Sequence, residues 1–485
     1  MATIGTRGLR SAWSRPEDGT TALGEKCGVV GVYAPQDEAA RLAFFALYAL
    51  QHRGQESAGI CSADGVGLHH LTGMGLVSQV FRERDLKRLG GAFAIGHTRY
   101  STTGSSRVEN AQPFVVRSDL GGLALGHNGN LVNVSTLRAQ IAALGITPRT
   151  STDSELVAHL IARTPGADWM ARMRTSLPRL AGAFCLVMLT RDRLFAVRDP
   201  WGIRPLALGR LPGGWIVASE TCALDTVGAT FIREITPGEM IAIGPDGVHT
   251  EQLWPPTTRA GCSFEYIYFA RPDSLIDGQL VYATRERMGV ELAREHPVDA
   301  DFVMPVPDSA IPAAIGFARA AGLPYREGLV KNRYIGRTFI QPHQRQREMG
   351  VDLKFNPLPE VLRGQRIVLV DDSIVRGTTT PRIVAILRRA GARAVHLRIC
   401  APPIRYACHL GVDMAPEETL IASANTVDEV RAIVGADSLG YLSLQGLVRA
   451  IDLPEGKLCN ACFHGRYPMP LEDRLDKLAL EGHES

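Results

Sequence analysis

The segment RIVLVDDSIVRGTTT, from Arg366 to Thr380, decides the fold of the C-terminal half of the chain. Its β-branched apolar run, Ile367–Val370, predicts a buried strand. Two carboxylates, Asp371 and Asp372, follow at the carboxyl end of that strand. A short polar loop then leads to Pro381, which is typical of the first turn of a helix. This order of features indicates the edge at which open α/β sheets bind their ligands.

The residue types in this loop indicate a ligand that carries phosphate. Backbone N–H groups at the start of a helix attract phosphate, and hydroxyl side chains add further donors. The two carboxylates would repel a phosphate, so they suit a sugar diol or a bound Mg²⁺ instead. The pattern GxxxxGK[ST] is absent, so the segment is not a Walker loop. The alternative is a strand that ends in a solvated acidic turn.

The segment resembles the 5-phosphoribosyl-1-pyrophosphate (PRPP) binding motif of type I phosphoribosyltransferases. The resemblance implies that Asp371 and Asp372 bind the ribose hydroxyls and that the loop after them holds the 5-phosphate. The loop residues expected to bind PRPP are Ser373, Arg376, Gly377, Thr378, Thr379 and Thr380.

Length and composition favour a soluble globular protein with more than one domain. The 485 residues are enough for two or three domains, and 45% of them are hydrophobic. The 53 basic and 50 acidic residues leave a net charge of +3, which gives no indication of a nucleic-acid or membrane surface. Residues 1–26 lack the apolar core of a secretory signal, so we expect a cytoplasmic location. They form either a disordered tail or a propeptide.

Cys27 begins the first recognisable strand, within GEKCGVVG, and this segment resembles class II (N-terminal nucleophile) glutamine amidotransferases. In that family the cysteine becomes the first residue of the mature chain, and its α-amine is the general base for its own thiol. The resemblance therefore implies that residues 1–26 are removed as a propeptide. Without the resemblance, Cys27 is equally typical of a small buried residue at the start of a strand.

Three further segments resemble the same family. In GHTRYSTTG, the guanidinium group of Arg99 is expected to bind the α-carboxylate of glutamine. In GHNGN, the side-chain amide of Asn128 and the backbone N–H of Gly129 are expected to form the oxyanion hole. In STDSE, Asp153 is expected to pair with the α-ammonium group of glutamine, although by itself it is more typical of a helix N-cap. We interpret two more segments, around Arg53 and from Arg198 to Arg204, as structural or substrate-framing.

The secondary-structure pattern changes between the two halves. Residues 27 to about 250 contain short apolar strands with helical patterns between them, which predicts packed sheets covered by helices. From about residue 260, strands and helices alternate as in a parallel, doubly wound sheet. The resemblances imply an αββα Ntn-hydrolase glutaminase domain over residues 27–255. A type I phosphoribosyltransferase domain with a C-terminal cluster-binding segment is expected over residues 256–485.

Two other segments would complete the PRPP site. Ser309 follows an apolar strand in a segment resembling the magnesium site of that family, so it joins the acidic pair as a candidate Mg²⁺ ligand. It is equally typical of an N-cap for the helix that follows. The basic segment between Lys331 and Lys354 is either a solvated loop or a lid. In the lid interpretation, Lys331 and Arg333 meet the pyrophosphate and exclude water.

The nine cysteines of a cytoplasmic chain argue against a disulfide framework. Cys459 and Cys462 form a CxxC pair, a moderate signal for metal, cluster or redox use. Cys262 and Cys408 lie in segments that resemble the iron–sulfur subgroup of amidophosphoribosyltransferases. Four thiolates suit either Zn²⁺ or an iron–sulfur cluster, and the resemblance favours a [4Fe–4S] cluster. The cysteines expected in the core are Cys61, Cys185, Cys222 and Cys400.

The combined resemblance implies a pentosyltransferase in which ammonia from glutamine displaces pyrophosphate at C1 of PRPP. The product would be 5-phosphoribosylamine, made in the first step of purine biosynthesis. The same resemblance implies one Mg²⁺ and one [4Fe–4S] cluster per subunit, inhibition by purine nucleotides and a homotetramer. One alternative is a class II amidotransferase with another acceptor, which leaves residues 367–380 unexplained. The other is a PRPP-sensing regulator, which leaves the glutaminase segments unexplained.

Overall fold

The computed structural model describes residues 27–100, 106–332, 355–414 and 416–472. Residues 1–26, where a propeptide is expected, lie outside these ranges, as do Arg333 and most of the predicted lid. In the part of the chain that is described, no helix is both long enough and apolar enough to cross a lipid bilayer.

The N-terminal half contains two antiparallel sheets. The first has seven strands in the order β11-β9-β10-β1-β4-β2-β3. Its strands are β1 (Gly28–Tyr33), β2 (Ser57–Ala63), β3 (Leu68–Met74), β4 (Phe93–Arg99), β9 (Ala207–Leu211), β10 (Gly214–Ala218) and β11 (Thr230–Glu234). The second has six strands in the order β13-β12-β8-β7-β6-β5. Its strands are β5 (Phe114–Ser118), β6 (Gly121–Leu131), β7 (Gly182–Leu189), β8 (Leu194–Arg198), β12 (Glu239–Gly244) and β13 (Gly247–Gln252).

Helices cover the outer face of each sheet. Their bounds are α1 (Ala39–Ala49), α2 (Val77–Val80), α3 (Glu83–Leu86), α4 (Val134–Ala143), α5 (Asp153–Arg163), α6 (Trp169–Ser176) and α7 (Thr221–Thr226). One apolar core lies between the sheets and contains Ile95 of the first and Val187 of the second. Two other cores join α1 and α7 to the first sheet, and α4, α5 and α6 to the second. The layers therefore run helix, sheet, sheet, helix, and the expected αββα arrangement is confirmed.

The C-terminal half is built on a four-stranded parallel sheet with the order β17-β20-β21-β22. Its strands are β17 (Phe302–Pro305), β20 (Arg366–Asp371), β21 (Ala394–Ile399) and β22 (Ser438–Tyr441). The helices are α8 (Val281–Glu295), α9 (Ile311–Ala321), Pro359–Leu362, Thr380–Arg389, Ile421–Ala424, Val427–Val434, Leu444–Ile451 and Ala461–His464. The predicted strand over 367–370 is confirmed and extended by one residue at each end. The helix after the polar loop begins at Thr380, one residue before the expected Pro381.

Short pairs and turns complete the described structure. Three two-stranded sheets join β14 (Gly261–Cys262) to β23 (Leu458–Cys459), β15 (Leu275–Ile276) to β16 (Gln279–Leu280) and β18 (Leu329–Lys331) to β19 (Phe355–Pro357). Single turns of 3₁₀ helix lie at Val108–Asn110, Leu177–Arg179, Glu417–Thr419 and Glu455–Lys457, and a π-helix at Glu265–Phe269. No helix or strand occupies residues 253–260, which include the boundary expected between the two domains at residues 255 and 256.

Candidate active sites

Cys27 lies directly before β1 and is 7% exposed. Gly28 pairs with Thr98 of β4, so the thiol lies beside the end of that strand. The Cys27 thiol donates a hydrogen bond to the carbonyl of Tyr100, at 3.4 Å between sulfur and oxygen. Burial raises the pKa of this thiol to about 11. The sulfur is therefore protonated at neutral pH and needs a base before it can attack a carbonyl carbon.

Two of the charges around the thiol belong to Arg99 and Asp153, the residues predicted to bind glutamine, and a third belongs to Glu56. Arg99 lowers the pKa of Cys27, whereas Glu56 and Asp153 raise it, so all three charges lie within electrostatic range of the sulfur. Arg99 is buried and forms an ion pair with Glu56. Asp153 is the first residue of α5, and its carboxylate accepts the backbone N–H of Leu131 at 3.0 Å. Thr152 occupies the N-cap position, so interpreting Asp153 as the cap is wrong.

Asn128 and Gly129 lie in the middle of β6, opposite Cys185 and Phe184 of β7. Asn128 is 1% exposed, and its amide nitrogen finds no hydrogen-bond partner among the described residues. A buried amide donor without a partner is costly, and a substrate oxygen would satisfy it. A Cβ on Gly129 would lie 1.9 Å from the carbonyl oxygen of Ala183, so only glycine fits this position.

The acidic pair lies at the carboxyl edge of the parallel sheet, where the sequence predicts it. Asp371 is the last residue of β20, and Asp372 follows it. The hydroxyl groups of Ser309 and Ser373 each donate to the carboxylate of Asp372 at 2.5 Å. Ser309 therefore reaches the acidic pair, and Ala310 holds the N-cap position of α9, so the capping interpretation of Ser309 is wrong.

The donor set around Asp372 fits a small divalent cation. Burial raises the pKa of Asp372, which means that its negative charge is costly without a compensating positive one. A hydroxyl oxygen and two carboxylates are the hard oxygen ligands that Mg²⁺ binds, and water or substrate oxygens complete the octahedron.

The loop between β20 and the helix Thr380–Arg389 approaches a neighbouring segment closely. Gly377 has a φ of 69°, and a Cβ there would lie 2.3 Å from the Cδ1 atom of Ile421. The backbone N–H of Ile421 donates to the carbonyl of Val375 at 2.8 Å, which holds the two segments together. Lys331, predicted to face pyrophosphate, forms an ion pair with Asp308 at 2.7 Å.

The four cysteines expected to bind a cluster come together at the junction of the two halves. Cys262 and Cys459 are register partners in the β14–β23 pair. Cys262, Cys408 and Cys459 all raise the pKa of Cys462, so the four thiols lie within electrostatic range of one another. Burial is the main cause of the raised pKa of each thiol, and bound metal would favour the thiolates instead.

The chemistry of this donor set fits a metal group that binds thiolates. Within the described ranges, however, no three His, Cys, Asp or Glu side chains are arranged to hold a single metal ion. The other cysteines are core residues as predicted: Cys61, Cys185, Cys222 and Cys400 are each at most 3% exposed.

Buried ion pairs join the two halves, and the sequence patterns did not reveal them. Arg53 is 1% exposed and donates to Glu220, to Glu265 at 2.9 Å and to the carbonyl of Cys27 at 3.3 Å. Glu265 begins the π-helix of the C-terminal half. The sequence signal that could have revealed this ion pair is the acidic residue within the aromatic run FEYIYF, because a charge buried among aromatic side chains requires a partner.

A second buried arginine extends this contact toward the acidic pair. Arg285 donates to the backbone carbonyls of Tyr266 and Ala270, each at 2.8 Å. Burial lowers the pKa of Arg285, and Asp372 acts in the opposite direction through its charge. Polar contacts and charges therefore connect the surroundings of Cys27 with those of Asp372.

Known proteins resemble this chain over almost its whole length. A family model described as a glutamine amidotransferase domain matches residues 97–226. The amidophosphoribosyltransferase of Mycobacterium tuberculosis is 49% identical, over 96% of this chain and 91% of the relative. That of Synechocystis sp. is 51% identical over 94% of each chain. That of Methanothermobacter thermautotrophicus is 50% identical, over 95% of this chain and 98% of the relative.

Solved structures agree with these relatives. The glutamine PRPP amidotransferase of B. subtilis, complexed with ADP and GMP, superposes with a TM-score of 0.88 at 46% identity, over 94% of this chain and 100% of that one. A second structure, described as the allosteric regulatory enzyme of purine biosynthesis, has a TM-score of 0.88 at 47% identity and covers 92% of this chain and 97% of that one. Because these relatives match both the N-terminal sandwich and the C-terminal parallel sheet, the chain belongs to the amidophosphoribosyltransferase family.

Proposed function

We propose that this protein hydrolyses glutamine at Cys27 and transfers the ammonia to C1 of PRPP, releasing pyrophosphate and forming 5-phosphoribosylamine, the first step of purine biosynthesis. The observation that carries the proposal is the pairing of two sites in one chain. Buried Cys27 lies within electrostatic range of Arg99 and Asp153 in the N-terminal sandwich. The acidic pair, Asp371 and Asp372, lies at the carboxyl edge of the C-terminal sheet. The proposed domains are residues 27–255 and 256–485.

In the glutaminase step, the sulfur of Cys27 attacks the side-chain carbonyl carbon of glutamine. Arg99 and Asp153 hold the α-carboxylate and the α-ammonium group, which positions the amide against the sulfur. The negative oxygen of the tetrahedral intermediate accepts hydrogen bonds from the Asn128 amide and the Gly129 N–H. The α-amine of Cys27 takes the thiol proton as the sulfur attacks, and it gives this proton to the leaving nitrogen as the carbon–nitrogen bond breaks, which releases ammonia. Water then cleaves the thioester to give glutamate.

In the second step, ammonia attacks C1 of PRPP and the bond to pyrophosphate breaks. Asp371 and Asp372 hold the ribose hydroxyls, and the loop from Ser373 to Thr380 holds the 5-phosphate with its N–H and hydroxyl donors. Lys331, and Arg333 outside the described residues, are proposed to bind the pyrophosphate. Mg²⁺ held by Ser309, Asp371 and Asp372 would neutralise part of the pyrophosphate charge. The work of the protein here is positioning and charge stabilisation, since no nucleophilic side chain is required.

Glutamine labelled with ¹⁵N in its amide tests this function. Incubation with PRPP and Mg²⁺ is expected to give pyrophosphate and ¹⁵N-labelled phosphoribosylamine, measured by mass spectrometry after trapping. The Cys27→Ala variant is expected to lose the glutamine reaction and to keep the reaction with ammonium salt. Label that appears in another product would contradict the acceptor, and loss of both reactions in the variant would contradict the two-site division.

We also propose that Cys262, Cys408, Cys459 and Cys462 hold one [4Fe–4S] cluster per subunit. Each cysteine of such a cluster binds a separate iron, whereas a single zinc ion needs all four thiolates around one point. The role of the cluster is structural, because the proposed reaction moves no electrons. Protein purified without oxygen is expected to be brown and to contain about four irons and four sulfides per chain. Stoichiometric zinc without iron would contradict the cluster.

Regulation and assembly are proposed from the family. The B. subtilis relative was solved with ADP and GMP, and we propose that purine nucleotides inhibit this enzyme as well. We further propose a cytoplasmic homotetramer. Sedimentation equilibrium and inhibition assays with individual purine nucleotides check these two points.

A further inference from the structure

A loop from the C-terminal half, His409–Gly411, packs on the strand that carries the proposed oxyanion hole. A Cβ placed on Gly411 would lie 2.8 Å from the carbonyl carbon of Gly129 and 3.1 Å from the backbone nitrogen of Asn130. Gly129 is also close to β7, since a Cβ of its own would lie 1.9 Å from the carbonyl oxygen of Ala183. The backbone of Gly129 is therefore packed closely against both β7 and Gly411.

Two polar contacts fix the loop against this part of the molecule. The side-chain amide of Asn130 donates to the carbonyl of His409 at 3.0 Å. The buried guanidinium of Arg204 donates to the carbonyl of Leu410. Leu410 itself is 1% exposed and packs with Val132 and other apolar residues of the N-terminal half.

The loop is also anchored at its start. Cys408 precedes it directly, and the backbone N–H of Leu410 donates to the sulfur of Cys408 at 3.4 Å. The loop therefore begins beside Cys408, one of the four cysteines proposed to bind the cluster, and ends against Gly129. Its backbone contacts β6 through the carbonyl of His409, which accepts from Asn130, and through Gly411, which lies against Gly129.

We propose that His409–Gly411 is a positioning element for the glutaminase site: it sets the position of the Gly129 backbone and so aims the N–H of the oxyanion hole. The loop touches neither substrate nor sulfur, and it acts through Gly129 and Asn130. This inference rests on the proposed glutaminase function. It adds to that function a requirement that the C-terminal half be docked before the oxyanion hole is complete.

The Gly411→Ala variant tests the proposal. Its added methyl group must push the loop away from Gly129, since the nearest atom, at 2.8 Å, is the backbone carbonyl carbon of Gly129. A matched control is Gly65→Ala, because Gly65 has nearly the same φ, 88° against 89°, and nothing within 4 Å of its Cβ position. The control carries the same backbone strain, but its added methyl group meets no other atom within 4 Å.

The readout is binding of glutamate γ-semialdehyde, to which the Cys27 thiol adds. A sulfur–carbon bond forms as the C=O π bond breaks, the thiol proton passes to the oxygen, and that oxygen occupies the oxyanion hole. Gly411→Ala is expected to weaken this binding by about tenfold or more, since a displaced oxyanion donor loses most of its effect. Binding of glutamate, which needs only Arg99 and Asp153, and the ammonia-dependent reaction are both expected to stay within about twofold of wild type.

The binding results distinguish a failure of the positioning role from a failure of the proposed glutaminase function. Unchanged semialdehyde binding in Gly411→Ala, or an equal loss in Gly65→Ala or in the ammonia-dependent reaction, overturns the positioning role. If Gly411→Ala does not fold, Asn130→Ala replaces it, because this change removes the bond to His409 without adding atoms. It is expected to weaken semialdehyde binding several-fold, and wild-type binding would overturn the inference. Failure of the wild-type protein to bind either ligand would instead refute the proposed glutaminase function.

Discussion

Cys27 combines two properties that conflict unless a base is close to the thiol. It is buried, which raises its pKa to about 11, and it is proposed as a nucleophile, which requires the thiolate. The neighbouring Arg99 lowers the pKa but does not overcome burial. A base adjacent to the sulfur resolves the conflict, and the α-amine of a chain that begins at Cys27 would be such a base.

At this scale we predict that the active protein begins at Cys27 and that its glutaminase rate follows the α-amine. The base acts only when unprotonated, so kcat/KM for glutamine hydrolysis should rise with pH through the ordinary α-amine range, near 7.7–8.0, and not near the thiol value. Intact-mass measurement and a pH–rate profile check this. An active preparation that still carries Met1 would refute the base assignment.

The two ends of the parallel sheet carry aspartates in different surroundings. Asp371 and Asp372 lie at the carboxyl end of β20, where loops and helix starts converge. Asp301 lies at the opposite end, where its carboxylate accepts from the backbone and side chain of Arg366 at 2.7 and 2.8 Å. Both ends therefore contain a hydrogen-bonded aspartate, but only one faces the proposed PRPP site.

We predict that Asp372→Asn abolishes phosphoribosylamine formation with either glutamine or ammonia while glutamate binding is retained. The substitution keeps the size of the side chain and removes the charge that a ribose diol and Mg²⁺ require. Asp301→Asn is the matched control at the other end of the sheet, and it should leave both reactions near wild type. Steady-state assays with the two nitrogen sources measure the difference. Activity in Asp372→Asn with ammonia would contradict the assignment.

At the scale of the whole molecule, buried charges hold the two halves together. Glu220 accepts from Arg53 and lies 2.7 Å from His52 in its own half, and it accepts from Ser274 and the backbone of Arg271 across the junction, at 2.7 and 2.8 Å. Burial alone would raise the pKa of Glu220, but His52 and Arg53 hold it well below its usual range. The ionised carboxylate therefore stabilises the folded protein.

We predict that Glu220→Gln lowers the free energy of unfolding by about 3 kcal/mol, because it leaves the charge of Arg53 partly unpaired in the interior. The folded pKa of Glu220 is depressed, so its stabilisation is complete above the unfolded value, about 4.3, and disappears as the pH falls further. The difference in Tm between wild type and variant should accordingly shrink in acid. Glu83→Gln, in an exposed pair with Arg41, should change Tm little at any pH. A constant difference across pH would refute the role of the charge.

Sequence patterns were sufficient for the features that are local in the chain. The apolar run ending in Asp371 and Asp372 predicts a strand and its ligand edge, because strand periodicity and loop chemistry are properties of neighbouring residues. The same holds for the strand before Arg99 and for the glycine at position 129. Asp371 and Asp372 lie at the carboxyl end of the predicted strand, as expected.

What the sequence determined by itself was the identity of the layers, and it predicted the two candidate sites and the residues in each, since short segments carry this information. Only the tertiary structure decided what joins them: Arg53 between Glu220 and Glu265, and Gly411 against Gly129. The physical reason is that these contacts connect distant parts of the chain: the hydrogen bonds of Arg53 to Glu220 and Glu265 span 167 and 212 positions, and that of Asn130 to His409 spans 279. Their partners are selected by burial and close packing, which no local pattern encodes.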